Sequence, residues 1–165
     1  IPEIAKLLKD KNIKFQFIIT APKDKSKEHL LFEKKINHYD VQEMIHIVGP
    51  VNKEKLGSLY KQIDLVFLLS KLESFSNNII EAWTFQKLLI VADEPWSKSI
   101  CKDGAVYVNR ESKNDILVKI IQSIKNNKMK DKIILNGKRI LSSYPRIDKR
   151  TKKELNYIRY IYENY

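Results

Sequence analysis

Ile63-Asp64-Leu65-Val66-Phe67-Leu68-Leu69-Ser70-Lys71-Leu72-Glu73-Ser74-Phe75-Ser76-Asn77-Asn78-Ile79-Ile80-Glu81 is the stretch whose reading decides the fold. Residues 65–69 form an unbroken apolar run, too short to span a bilayer and bracketed by polar residues. Such a run suits a strand buried on both faces, as in a parallel sheet covered by helices. Residues 70–78 are polar apart from Leu72 and Phe75, so the chain turns there. Asn77 or Asn78 is then expected to cap a helix carrying Ile79, Ile80, Ala82, Trp83 and Phe85. The unit is strand, loop, helix. Its loop falls at the carboxyl end of a buried strand, where open α/β sheets bind their ligands. The helix start offers unpaired backbone N–H groups and a positive dipole end to an anion, typically a phosphate.

Working outward, strand and helix patterns alternate. Upstream, residues 2–11 read as a helix with Pro2 early, and 15–20 as a strand by β-branched and aromatic content. A helix is expected from Ser26 or Lys27 to about Asn37, a strand over 45–48, and a short helix capped by Asn52 and reaching about Lys61. Downstream the expectations are a helix over 78–86, a strand over 88–92, a turn of helix over 97–102 and a strand over 105–108. Helices over 114–126, 130–142 and 150–162 complete the chain, the first with Ile116, Leu117, Ile120, Ile121 and Ile124 on one face. This alternation implies an α/β fold, a Rossmann-like parallel doubly wound sheet flanked by helices, with right-handed crossovers.

The 165 residues fit one domain with a real core. No apolar run is long enough to span a bilayer and no signal-peptide pattern is present, so a cytoplasmic setting is expected. The single cysteine, Cys101, excludes an internal disulfide and reads as a structural thiol. The net charge of +11 points to an anionic partner. The basic residues are dispersed, however, and no strand carries the basic-plus-aromatic pattern of a single-strand binder. Solvated helix faces come first, an anionic membrane surface second, and nucleic acid is not expected. His29, His38 and His46 share no metal-ligand spacing, and no metal is expected.

Glu73 and Glu81 flank the central turn with seven residues between them. Here the sequence resembles the retaining, nucleotide-sugar-dependent glycosyltransferases of the two-domain GT-B fold, in the group called family 4. The resemblance runs through residues 45–51 (a strand ending at Gly49), 53–60, 88–95 with its Asp93-Glu94-Pro95 exit, and 104–108. In order and spacing it covers residues 15 to 140. It implies that the chain is the C-terminal, donor-binding domain of such an enzyme. An N-terminal acceptor domain would lie outside these 165 residues, and with it the basic Arg and Lys that relatives aim at the diphosphate.

The resemblance also implies roles. Glu73 would contact the transferred sugar or support its developing charge, as the catalytic residue; a plain loop acid is the competing reading. Glu81 would accept hydrogen bonds from the ribose diol, against the simpler role of an acid complementing a helix dipole. Val48 and Gly49 match the place where relatives hold the base, and Ser70 would line the pocket. Ser74, Phe75, Ser76, Asn77, Asn78 and Ile79 occupy the loop where relatives read Gly-Phe-Gly-x-Pro. Phe75 matches, Ser74 and Ser76 replace glycines, and Asn78 replaces the proline. Backbone N–H groups of Asn77, Asn78 and Ile79 are the expected diphosphate donors.

Two functions follow. The first is donor binding within an enzyme that moves a hexose from a nucleoside-diphosphate sugar, UDP by expectation, to a glycan or lipid-linked acceptor with retention. It would act without a cofactor, in bacterial polysaccharide biosynthesis, at the inner face of the cell membrane. The second is a non-catalytic binding module of the same fold whose donor pocket has eroded, motivated by the two glycine-to-serine changes.

Overall fold

The strand that anchors the molecule is Leu88–Ala92, buried along its whole length. The structure, a computed structural model, describes residues 1–24, 26–74, 76–145 and 147–164. Five strands alternate with helices: α1 (Pro2–Asp10), β1 (Phe17–Ile19), α2 (Lys27–His38), β2 (Ile45–Ile47), α3 (Lys53–Gln62), β3 (Leu65–Leu68), α4 (Asn77–Thr84), β4 (Leu88–Ala92), α5 (Pro95–Cys101) and β5 (Val106–Val108). α6 (Lys113–Lys125), α7 (Asn127–Ser143) and α8 (Ile147–Asn164) follow, and a 3₁₀ turn, Gln42–Met44, precedes β2.

Side chains of β4 alternate between two cores, as the two-residue period of a strand requires. Leu88 and Ile90 face one core, with Ile4 and Leu8 of α1, Ile36 of α2 and Ile116, Leu117 and Ile120 of α6. Leu89 and Val91 face the other, with Ile79, Ala82 and Trp83 of α4, Cys101 of α5 and, at its border, Ile140 and Leu141 of α7. Helices therefore cover both faces, the doubly wound arrangement that the alternating sequence implies.

Every strand pairing is parallel, but the ladders are two. β1 pairs with β2 (Phe17 opposite Ile45), and β3–β4–β5 form the second sheet (Leu65 opposite Leu88, Ile90 opposite Val106). The facing edges of β1 and β3 border a cleft of about 760 Å³ lined by residues 15–21 and 63–67. Phe67 spans it, its ring centroid 5.8 Å from Phe17 and 6.5 Å from Phe15. This corrects the expectation that residues 65–69 are buried on both faces. Of β3 only Leu68 is buried, because a single neighbouring strand covers it, and the fully enclosed strand is β4.

Three helices end in the same way. Ile13 N–H donates to Leu8 O (3.0 Å), Val41 N–H to Ile36 O (3.2 Å) and Lys87 N–H to Ala82 O (2.8 Å), each reaching five residues back. This is the Schellman closure of α1, α2 and α4, which needs a left-handed residue just before the donor. Asn12, Asp40 and Gln86 supply it, with φ of 53°, 52° and 53°. After α1 and α4 the chain then runs on to the next strand, and after α2 into the 3₁₀ turn before β2.

Candidate functional site

Because all strands run the same way, their carboxyl ends, and the starts of α3, α4, α5 and α6, lie along one edge of the sheets. Near this edge lie the sequence-predicted donor-site residues that the structure describes, on the β2 and β3 ends and the β3–α4 turn; Phe75 lies outside the described residues.

Val48 extends the β1–β2 ladder, its N–H donating to Ile19 O at 2.9 Å, while its side chain is 53% exposed. Gly49 is buried at φ +80°, and a Cβ there would meet nothing within 4 Å. The backbone angle, not crowding, asks for glycine at this turn. Ser70 is half-buried just past β3. The chain around it is held from two sides: Arg110 Nη1 donates to Leu69 O at 3.5 Å, and Trp96 Nε1 to Lys71 O at 3.2 Å. Glu73 is half-buried in the loop and Ser74 is exposed.

The N-cap of α4 is Ser76, not Asn77 or Asn78 as the sequence suggests, and no side chain caps it. In a run of Ser-Asn-Asn all three residues are good caps, so local preference alone does not choose among them. Ile79 N–H returns to Ser76 O at 3.1 Å, and the Ile79 side chain is fully buried in the core. Asn77 and Asn78, both exposed, occupy the first two helical positions, whose N–H groups have no partner further back in the helix.

Asn78 and Glu81 are three residues apart and so share a face of α4. Both line the end of the cleft, together with Tyr60 of α3. Val48, Gly49, Ser70, Glu73, Ser74 and Ser76 share the sheet edge but do not line that cleft. Tyr60 is the residue that sequence reasoning missed. Its hydroxyl donates to Glu81 Oε2 at 3.0 Å, and its ring stacks on Phe85 at 4.8 Å and 18°. Burial, and then the Glu81 carboxylate, push the phenol well above its ordinary value, so it keeps its proton and acts as donor. Tyr60 and Glu81 are 21 residues apart and meet only through the packing of α3 on α4. No spacing could announce them.

Trp83 and Trp96 pack and brace the structure. Trp83 is 1% exposed with Nε1 donating to Gly104 O at 3.0 Å, and Trp96 braces the loop. His46 is exposed on β2. Among the described residues no three His, Cys, Asp or Glu side chains cluster closely enough to hold a metal ion. No helix among them is long and apolar enough to cross a membrane.

A family model described as Glycosyl transferases group 1 matches residues 2–140. Among curated proteins none matches the chain. Solved structures share its fold. A glycosyltransferase from Rickettsia africae ESF-5 superposes with a TM-score of 0.80 at 19% identity, covering 98% of this chain and 44% of that one. The sucrose-phosphate synthase of Thermosynechococcus elongatus gives 0.79 at 14% identity, over 98% of this chain and 43% of that one. HepE of Anabaena, in complex with UDP and glucose, gives 0.69 at 15% identity, over 94% of this chain and 51% of that one. The chain thus spans about half the length of these proteins or less. At such identities the likeness is one of fold.

Proposed function

Since the chain belongs to the group 1 glycosyl transferases and has the fold of a C-terminal GT-B domain, we propose that it binds the nucleotide-sugar donor of a hexosyltransferase. The observation that carries the proposal is the start of α4. There two exposed first-turn residues, Asn77 and Asn78, stand one turn from a half-buried carboxylate, Glu81, held by a phenol. A helix start suits a diphosphate, and a fixed carboxylate beside it suits the hydroxyls of the attached ribose.

In this reading Asn77 and Asn78 N–H groups receive the diphosphate. The committed N–H of Ile79 is the weakest candidate of the three named from the sequence. Val48 and Gly49 border the base, and Ser70, Ser74 and Ser76 stand beside the donor at the same edge. Glu73 faces the transferred sugar. A carboxylate there would stabilise the positive charge that develops as the glycosidic bond to the diphosphate breaks, while the helix end stabilises the leaving anion. UDP is the proposed nucleotide, supported by HepE, a protein of this fold solved with UDP. A hexose, a glycan or lipid-linked acceptor, retention of configuration and catalysis without a bound metal complete the proposal.

The proposed setting is the inner face of the bacterial cell membrane. It is supported by the net charge of +11 and by α8, where Leu155, Tyr157, Ile158 and Tyr160 are all more than half exposed among Lys149, Lys152, Lys153 and Arg159. An exposed face that mixes aromatic and basic residues suits an anionic interface.

Turnover of UDP-hexoses by the full-length protein tests the proposal. Glu73→Gln is expected to lower kcat by 10²-fold or more, on the order of removing one electrostatic stabiliser of the transition state. Glu81→Ala should mainly raise KM. Nucleotide binding without transfer to any acceptor would favour the second reading, a binding module of the same fold.

A further inference from the structure

We infer that Tyr60 is a positioning residue of the donor site: it holds the Glu81 carboxylate by one oxygen and so presents the other to the vicinal diol of a nucleotide ribose. The inference rests on the donor-site reading above and adds a residue to it.

Glu81 is half-buried on the surface of α4, and a glutamate has three side-chain torsions to settle. Tyr60 settles them from the neighbouring helix. It is itself 4% exposed, and its ring lies flat against Phe85, the C-cap of α4, one turn beyond Glu81. Gly57, one turn before Tyr60 on α3, faces the same ring: a Cβ at Gly57 would stand 3.7 Å from Phe85 Cε1. The α3–α4 seam is therefore closed around Phe85, and the Tyr60 hydroxyl has a fixed origin from which to reach Glu81 Oε2 at 3.0 Å.

The chemistry of the donor matters. A phenol has a single proton, and it is spent on Oε2. A lysine or arginine in its place would bring several N–H groups and would compete for both carboxylate oxygens. With one donor on Oε2, Oε1 keeps both lone pairs for incoming O–H groups. A ribose offers two adjacent hydroxyls, and this carboxylate lines the cleft end within one turn of Asn78, the proposed diphosphate donor. The alternative is that the Tyr60–Glu81 bond only joins two helices. That role would leave the ligand's diol irrelevant.

The test compares UDP with 2′,3′-dideoxy-UDP, by calorimetric titration of full-length wild type, Tyr60→Phe, Glu81→Ala and the double variant. Phenylalanine preserves the stack on Phe85 and deletes only the hydroxyl. Tyr60→Phe should weaken UDP binding about tenfold, the scale of freeing one ordered side chain at a site. Its affinity for the dideoxy nucleotide should match that of wild type. In the Glu81→Ala background the same change should have no further effect, since the two residues act as one unit. Equal UDP affinity for wild type and Tyr60→Phe would overturn the positioning role while leaving the donor site standing. So would an equal loss for both nucleotides. If wild type bound neither nucleotide, the donor-site reading would fall, and this inference with it.

Discussion

At the scale of single residues, a glycine and a cysteine show how closely the second core is packed. Gly137 of α7 passes directly over Trp83: an added Cβ would stand 2.3 Å from Trp83 Cδ1 and 2.4 Å from Nε1. Trp83 is buried with its Nε1 committed to Gly104 O, so it has nowhere to go. Gly137→Ala is expected to destabilise the protein by about 2–3 kcal/mol, the cost of overpacking a closed core, as read by urea unfolding. An unchanged midpoint would mean that α7 can slide off Trp83. Cys101 is fully buried in the same core, and burial pushes its thiol up to about 12. A thiol held in that form is a poor nucleophile. Iodoacetamide at pH 8 should leave the native protein unmodified and alkylate it once unfolded. The thiol's structural role was legible in the sequence. The contact between Tyr60 and Glu81 was not, because it is made by two helices and a stacked ring, and no periodicity records it.

At the scale of elements, the helical and strand periods placed each of the five strands and eight helices seen among the described residues, while several helix ends moved. α1, α2 and α4 close on left-handed residues, and the sequence offers Asn12, Asp40 and Gln86 there instead of the glycine that would mark such a stop. α4 likewise is capped at Ser76, ahead of the expected Asn77 or Asn78. Of the three left-handed residues glutamine tolerates that backbone worst. Gln86→Gly should therefore stabilise the fold by about 0.5–1 kcal/mol, measured as a higher unfolding midpoint; destabilisation would show that the Gln86 side chain contributes packing. A pH-dependent tie joins α1 to α6. A hydrogen bond from the Lys113 ammonium to Glu3 holds the Glu3 carboxyl below its ordinary value. A depressed carboxyl stabilises the fold above its unfolded value, and that contribution fades as pH falls through the lowered one. Wild type should be slightly more stable than Glu3→Gln at pH 7, and the difference should vanish at low pH. A difference that persisted there would assign the effect to packing. α8 carries the membrane proposal: removing residues 147–165 should abolish cosedimentation with phosphatidylglycerol vesicles at low salt, and retained binding would refute it.

At the scale of the whole molecule, the alternating pattern yields parallel strands with helices on both faces, but not the division into two ladders. Strand composition reports burial and propensity, and it is silent on which edges meet. The apolar run at 65–69 suggested a strand buried on both faces; enclosure instead belongs to β4, since among the described residues β3 pairs on one edge only. The open edge makes its own prediction. Val48 N–H bonds to Ile19 O, which turns the backbone groups of Ile19 toward β2 and, by alternation, those of Ile18 toward the cleft. In the 165-residue chain the Ile18 amide should exchange with solvent much faster than that of Ile19. Equal protection would mean that β1 has a second partner.

The site at the carboxyl edge is where all three scales meet, and nucleotide titration read by backbone amide shifts examines it most directly. UDP, GDP and ADP would each be added to the labelled full-length protein. One of them, UDP by proposal, should shift amides at residues 48–49 and 74–81 and leave the opposite edge of the sheets unmoved, with Glu81→Ala weakening the response. Shifts centred elsewhere, or none with any of the three nucleotides, would contradict donor binding at this edge.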